Sequence, residues 1–85
     1  MQMRRSLQLY WVNSSKNRFY RAIFERDLFG DLTLITINGS TNSARGGTRV
    51  KIFNTAMEGI KALRELKKIR KRRGYEPIQS SRIRA

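Results

Sequence analysis

The first 54 residues carry four short segments with the hydrophobic patterning of β-strands. Each is rich in β-branched and aromatic residues, and polar or glycine-containing clusters separate them. They span residues 7–13, 17–25, 32–38 and 47–54. In the fourth segment, Val50 and Ile52 alternate with Arg49 and Lys51. This alternation predicts one apolar face turned toward the core and one basic face. Segments two and three are apolar on both faces, which predicts a second sheet face that is partly covered or occupied by a partner.

The period then changes to that of a helix. Thr55 and Glu58 have the spacing of a capping box, which predicts the helix start. Apolar residues recur at three- and four-residue spacing and predict a stripe that lies on the sheet. Its members are Ala56, Ile60, Leu63, Leu66 and Ile69. We expect the helix to end near Arg73, with Gly74 as the C′ residue and Pro77 soon after.

These elements predict an α+β fold, in which an antiparallel sheet of four or five strands carries one C-terminal helix across one face. A chain of 85 residues has room for one domain. We assign residues 1–6 to an N-terminal tail, 7–75 to the domain, and 76–85, which have no periodicity, to a flexible C-terminal tail. We expect a monomer.

No run approaches the roughly 20 apolar residues of a spanning helix, and the first residues lack a long apolar region. The sequence therefore predicts a cytoplasmic protein, nucleoid-associated in a bacterium, with no membrane partner.

Charge is the strongest feature of the composition. Nineteen Lys and Arg against six Asp and Glu give a net charge of +13. These positive charges repel one another in a compact domain and favour a polyanionic partner. Six cations fall within residues 67–73. The helix dipole favours cations by about 0.3–1 kcal/mol each, but only in the last turn. Phosphates remove the repulsion and release counterions, so nucleic acid, with DNA favoured over RNA, is the expected partner.

The candidate binding residues form two groups. The first lies on the helix, mostly on one face away from the apolar stripe: Lys61, Arg64, Lys68, Lys71 and Arg72. The second comes from the glycine-rich loop and the strand after it: Gly39, Ser40, Asn42, Arg45, Arg49 and Lys51. Glycine lets backbone amides approach an anion, while the polar and basic side chains supply hydrogen bonds and charge. If Lys68 and Lys71 both touch phosphate, changing them to Ala should reduce the salt slope of binding by about two units.

The sequence argues against catalysis. It has no Cys and no His, and therefore no thiolate nucleophile, usual general base or commonest metal ligand. Asp27 and Asp31 bracket a turn, where a turn-and-cap role is favoured over a shared metal. We expect a non-enzymatic protein with no cofactor and no metal site. Trp11 and Tyr10 either pack on their strand or stack on bases.

A series of short motifs follows in order from the second strand to the end of the helix. They are Phe19-Tyr20, Asp27-Leu28-Phe29-Gly30, Leu34-Ile35, Gly46-Gly47-Thr48-Arg49, Phe53 and Lys71-Arg72-Arg73-Gly74-Tyr75. Their order and spacing resemble the WGR domain, a small module of several poly(ADP-ribose) polymerases and bacterial proteins that is named for a Trp-Gly-Arg motif. The resemblance covers about residues 7–75.

The resemblance implies an antiparallel sheet with a helix across one face. It also implies recognition of DNA ends as in the polymerases, where the Trp and Arg of the motif contact the nucleic acid. Placing residues 34–37 on the family's third strand aligns the motif with Asn38-Gly39-Ser40, so only the glycine is kept. Affinity is therefore expected chiefly from Arg45, Arg49, Lys51 and the basic helix, while the loop contributes shape and backbone donors.

Two functions of different class follow. The preferred one is a non-enzymatic nucleic-acid-binding module that contacts mainly the phosphate backbone. The alternative is a protein–protein interaction module that docks an acidic partner through its cations and the second sheet face. Anionic lipid ranks below both because the basic helix lacks the apolar face of an interfacial anchor.

Overall fold

Five antiparallel strands, one α-helix and one short 3-10 helix at Ser14–Lys16 make up the computed structural model, which describes residues 6–78. The strands are β1 (Ser6–Asn13), β2 (Arg18–Arg26), β3 (Leu32–Ser40), β4 (Gly46–Phe53) and β5 (Glu76–Pro77), and the helix is α1 (Ala56–Arg72). The order across the sheet is β4-β3-β2-β1-β5. The predicted α+β class is confirmed, with five strands. The rest of the predicted tails, residues 1–5 and 79–85, lies outside the described residues.

Residues near both ends of the chain, which the sequence assigned to tails, belong to the sheet. Ser6 already pairs with β2. At the other end β5 pairs with β1, and Ile78 donates its backbone N–H to the Tyr10 carbonyl at 2.8 Å. The prediction that residues 76–78 belong to a flexible tail is therefore wrong. A strand of two residues is too short for a period to reveal it.

The connection between β3 and β4 is shorter than the sequence indicated. The strand pattern left residues 39–46 as a loop, but only 41–45 connect the two strands. Gly39 pairs with Gly46, and a Cβ on Gly46 would collide with the Asn38 carbonyl. These two glycines serve close strand pairing, which the pattern missed because glycine is depleted in strands.

The pairing register places each face of β4 on the side of the sheet opposite to the one predicted. Phe53 is buried in the core, and Lys51 and Arg49 are in phase with it. These two cations therefore lie on the face that bears α1. Val50 and Ile52 lie on the open face, 61% and 60% exposed, so the prediction that they turn toward the core is wrong. A period of two shows which residues share a face, but the position of α1 decides which face is buried.

The core lies between this sheet face and α1. Its buried members are Trp11, Ala22, Leu34, Phe53 and Leu63. The helix comes closest at Gly59, where a Cβ would lie 2.5 Å from the Phe24 ring. The contact line runs through Gly59 and Leu63, while Ile60 is 41% exposed and Ala56 is exposed. The observed contact line is therefore rotated about the helix axis relative to the predicted apolar stripe. The sequence pattern missed this rotation because a glycine on the contact line has no apolar side chain.

The predicted ends of α1 are confirmed. The Thr55 hydroxyl accepts a hydrogen bond from the Glu58 N–H at 3.2 Å, and the Glu58 carboxylate accepts one from the Asn54 N–H at 3.2 Å. A Schellman motif closes the C-terminus around Gly74, whose φ is 86°. Within residues 6–78 no helix has the length and apolar character needed to cross a membrane.

Candidate functional site

The C-terminal end of α1 and the neighbouring ends of the strands enclose a pocket of ≈ 290 Å³. Four of the residues that line it are cations, and none is a carboxylate. The lining residues are Asn13, Lys16, Arg18, Tyr20, Asn38, Arg70, Arg73 and Tyr75. We call this site the arginine pocket. A cavity that gathers positive charge without acidic neighbours attracts an anion.

Arg70 packs against two tyrosine rings of this pocket, in the corner where Tyr20 and Tyr75 meet edge to face. Its guanidinium carbon lies 4.1 Å from the Tyr20 ring centroid and 4.8 Å from that of Tyr75. Such cation–π contacts fix the orientation of the planar group. The Arg70 Nε is buried and has no hydrogen-bond partner within residues 6–78. The same guanidinium lines the pocket, where its other N–H donors can meet an acceptor that a ligand supplies.

The buried Asn13 ties the end of α1 to the end of β1. Its Nδ2 donates to the Arg73 carbonyl at 3.1 Å. Its Oδ1 accepts from the Lys16 backbone N–H at 3.2 Å and from the Ser15 hydroxyl at 2.9 Å. One amide side chain therefore positions two cationic residues of the pocket, although 60 residues separate Asn13 from Arg73.

Arg18 and Asn38 complete the pocket from the sheet. Asn38 pairs with Tyr20 across β2 and β3, so both side chains lie on the face that bears α1. The Arg18 guanidinium donates to the Asn38 Oδ1 at 3.3 Å. A guanidinium has five N–H donors in a planar fork, and this single contact leaves Arg18 suited to bind a further acceptor.

The structure divides the residues predicted from the sequence between separate surfaces. The helix group is exposed along α1, off its contact line with the sheet: Lys61, Arg64, Lys68, Lys71 and Arg72. Arg49 and Lys51 are exposed on the same sheet face as the arginine pocket. Arg45 and Asn42 are exposed in the short β3–β4 loop, where the Ser40 hydroxyl donates to the Asn42 Oδ1 at 2.7 Å.

Gly39 has a packing role instead of the predicted approach to an anion. It is buried in β3, opposite Phe19 in β2. A Cβ at Gly39 would lie 2.8 Å from a carbon of the Phe19 ring. The aromatic ring fills the space above the glycine, which leaves Gly39 no open surface for a ligand.

Trp11 was predicted either to pack on its strand or to stack on bases, and the structure supports packing, in the core. Trp11 is 4% exposed and packs edge-on against Tyr20, with ring centroids 6.0 Å apart. Its indole is therefore not presented for stacking on bases. Tyr10 is half-buried on the open sheet face, near Phe19.

The sequence did not single out Lys16, Arg18, Arg70 or Arg73 as binding residues. Arg70 carried the clearest signal, because it follows Leu63 by seven residues and so continues the buried side of α1. A cation at such a position indicates a charge that the fold holds in place. Arg18 gave no comparable signal, since it enters the pocket through its contact with Asn38 on β3. Lys16 gave none either, since it lies in a short turn outside any apolar period.

The fold and the site define a small α+β binding module with a cationic pocket on its helix-bearing face. The chain belongs to the WGR domain family, since the family model matches residues 3–82, nearly the whole chain. The WGR domain is generally a nucleic-acid-binding module, and it is a binding module rather than a catalytic one. No curated protein and no solved structure matches the chain.

The aligned motif falls beside the arginine pocket. Asn38, in the place of the family's Trp, lines the pocket. Ser40, in the place of its Arg, lies two residues further along β3 and therefore on the same face. The region of the family's motif and the cationic pocket thus form one surface in this chain.

Proposed function

We propose that this WGR domain binds nucleic acid, DNA in preference to RNA, by holding backbone phosphates in the arginine pocket. One observation carries the proposal: the Arg70 guanidinium packs against two tyrosine rings at the wall of a pocket whose lining has three further cations and no carboxylate. The planar guanidinium fork matches the oxygens of a phosphate. A phosphate in the pocket would accept hydrogen bonds from the Arg70 guanidinium and neutralise the local repulsion together.

Neighbouring residues extend this contact along the backbone. Arg49 and Lys51 share the helix-bearing face with the pocket, and Arg45, Ser40 and Asn42 lie at the adjoining hairpin end. We assign these residues to flanking phosphates. The exposed cations of α1 act at longer range, since a net charge of +13 raises the local concentration of a polyanion. The proposal includes no catalytic step, cofactor or metal.

The salt dependence of binding separates the pocket from the outer side of α1. Arg18→Ala with Arg73→Ala removes two charges from the pocket and should lower the magnitude of the slope of log K against log[salt] by about two. Lys61→Ala with Lys68→Ala removes two charges from exposed helix positions and should leave the slope nearly unchanged. Fluorescence anisotropy with a short duplex between about 50 and 200 mM salt measures both.

The opposite pattern, with the slope lowered only by the helix pair, would make the outer side of α1 the contact surface. Absence of affinity for both DNA and RNA in the unsubstituted protein would remove the proposed function altogether.

A second candidate, docking of an acidic protein, is favoured by the edge strand. Within the described residues β4 pairs only with β3, and its exposed Val50 and Ile52 alternate with Arg49 and Lys51. An added strand that alternates apolar and acidic residues would match both faces of β4. Saturable binding of a synthetic peptide of alternating Glu and Val, without binding of nucleic acid, would select this function.

A further inference from the structure

Two large apolar side chains stand exposed at the turn between β2 and β3. Leu28 is 82% exposed and Phe29 is 88% exposed. The turn that carries them is well ordered by hydrogen bonds: the Asp27 Oδ1 accepts from the N–H groups of Phe29 and Asp31, each at 2.9 Å. The Arg26 guanidinium donates to the Gly30 carbonyl at 2.7 Å. The turn role predicted for Asp27 is confirmed, and its hydrogen bonds hold the apolar pair out in solvent.

This turn is also acidic in a strongly basic chain. Residues 25–31, which we call the tip, contain three of the six carboxylates, at Glu25, Asp27 and Asp31, and one cation, Arg26. Three negative charges and one positive charge give the tip a net charge of −2, against +13 for the whole chain. The tip therefore combines an apolar end with the opposite charge to the rest of the molecule.

A groove with complementary properties lies at the β1–β5 edge of the sheet. It has a volume of ≈ 810 Å³ and runs between β1, β5 and the C-terminal half of α1. Its apolar wall includes Leu9, Trp11 and Ile78, and it is bordered by the cations Lys67 and Lys71, which outnumber its one carboxylate, Glu76. We call this site the edge groove.

We propose that the tip of one copy docks in the edge groove of a second copy, head to tail. Leu28 and Phe29 pack against the apolar wall of the edge groove, while Asp31 and Asp27 face Lys67 and Lys71. The two surfaces match in both apolar character and sign of charge. The contact joins two different surfaces, so in a pair one copy keeps its groove free and the other keeps its tip free. Further copies can therefore add along a row of molecules.

The charge of the whole chain sets the conditions for this contact. Two copies of +13 repel each other at low salt, and two apolar side chains make a small interface. Dilute protein at low salt therefore stays monomeric, as the sequence predicts. Salt that screens the repulsion between whole chains, or a polyanion that neutralises it, favours the head-to-tail contact. Apolar burial does not depend on long-range charge, and ion pairs that are partly buried in a contact are screened less than distant exposed charges.

Sedimentation velocity without nucleic acid tests the proposal, at about 0.5 M salt, where the screening length is roughly 4 Å. The tip variant is Leu28→Ser with Phe29→Ser. The groove variant is Lys67→Glu with Ile78→Asp. All four side chains are exposed, so both variants should fold, which thermal melts verify. The mass of the unsubstituted protein should rise above 10.0 kDa with concentration, and each variant alone should remain at 10.0 kDa.

An equimolar mixture of the two variants gives the decisive result. The tip variant keeps an intact groove and the groove variant keeps an intact tip, so the mixture should form a one-to-one complex. An unsubstituted protein that stays at 10.0 kDa, or a mixture that does not associate, overturns the proposal. A monomeric protein whose Trp11 fluorescence responds to an acidic–apolar peptide would assign the groove to another partner and also overturn it. Nucleic acid takes no part in the measurement, so its result is independent of the function proposed above.

Discussion

Arg70→Met should weaken DNA binding more than any other loss of a single charge on α1. Methionine keeps an unbranched side chain against the Tyr20 and Tyr75 rings but removes the guanidinium donors. A hydrogen bond to a charged group contributes about 1.5–3 kcal/mol. The dissociation constant should therefore rise roughly 10- to 150-fold. Fluorescence anisotropy with a short duplex at fixed salt measures this change.

Arg64→Met is the matched control, because it removes the same group from an exposed position of the same helix. Its dissociation constant should rise less than about threefold, since an exposed charge acts only through the screened field. Circular dichroism of both variants verifies that the fold is retained. Equal losses at the two positions would show that affinity follows net charge, and the arginine pocket would then have no special role.

Trp11→Ala should have the largest effect on stability. The indole is 4% exposed, belongs to the core and packs edge-on against Tyr20. Truncating a buried Trp to Ala costs about 3–5 kcal/mol, a large share of the roughly 5–15 kcal/mol that stabilises a domain. At about 4–8 °C per kcal/mol for a domain of this size, Tm should fall by at least about 12 °C. Chemical and thermal denaturation measure the loss.

Tyr10→Ala is the control at the neighbouring position, on the open sheet face, where the side chain is only half-buried. Its cost should stay near 1 kcal/mol, the typical value for a point mutation. A Trp11→Ala protein that kept its stability and lost only DNA affinity would contradict the core position of the indole and restore base stacking as its role.

The elements of the fold that depend on local chemistry were predictable. The capping hydroxyl of Thr55 and the αL conformation of Gly74 act within a few residues of their own positions, so the ends of α1 follow from the sequence. The strands follow in the same way from their β-branched and aromatic residues and the polar clusters between them, and β4 also from its alternation. The exceptions are the short β5 and the glycine-containing strand ends around Gly39 and Gly46, where tertiary pairing overrides weak local preference.

The choice of buried face was not predictable from the pattern. Alternation along β4 places Val50 with Ile52, but only the packing of α1 decides that these residues are exposed. The close approach of Gly59 to Phe24 sets that packing. A glycine has no side chain to enter a hydrophobic pattern, so the rotation of the helix on the sheet could not be read from it.

The sequence predicted the kind of site, one that binds a polyanion, but not its position in the fold. Composition indicates a polyanion partner, and the helix shows where cations concentrate. The arginine pocket, however, combines residues from Asn13 to Tyr75, and its geometry depends on contacts such as the hydrogen bond from Asn13 to Arg73 across 60 residues. No local pattern reports such a contact. Arg70 is the partial exception, because its helical phase with Leu63 places this cation toward the buried side of α1.

A ¹H–¹⁵N NMR titration of the arginine side chains with a short DNA duplex tests most directly whether a phosphate binds in the arginine pocket. The Arg70 Nε–H, which is buried and has no hydrogen-bond partner within residues 6–78, should shift as the guanidinium gains charge-assisted hydrogen bonds, and the Asn38 side-chain amide should shift with it. Shifts confined to residues 61–68 on the exposed side of α1, with the Arg70 Nε–H signal unmoved at saturation, would contradict the proposed site.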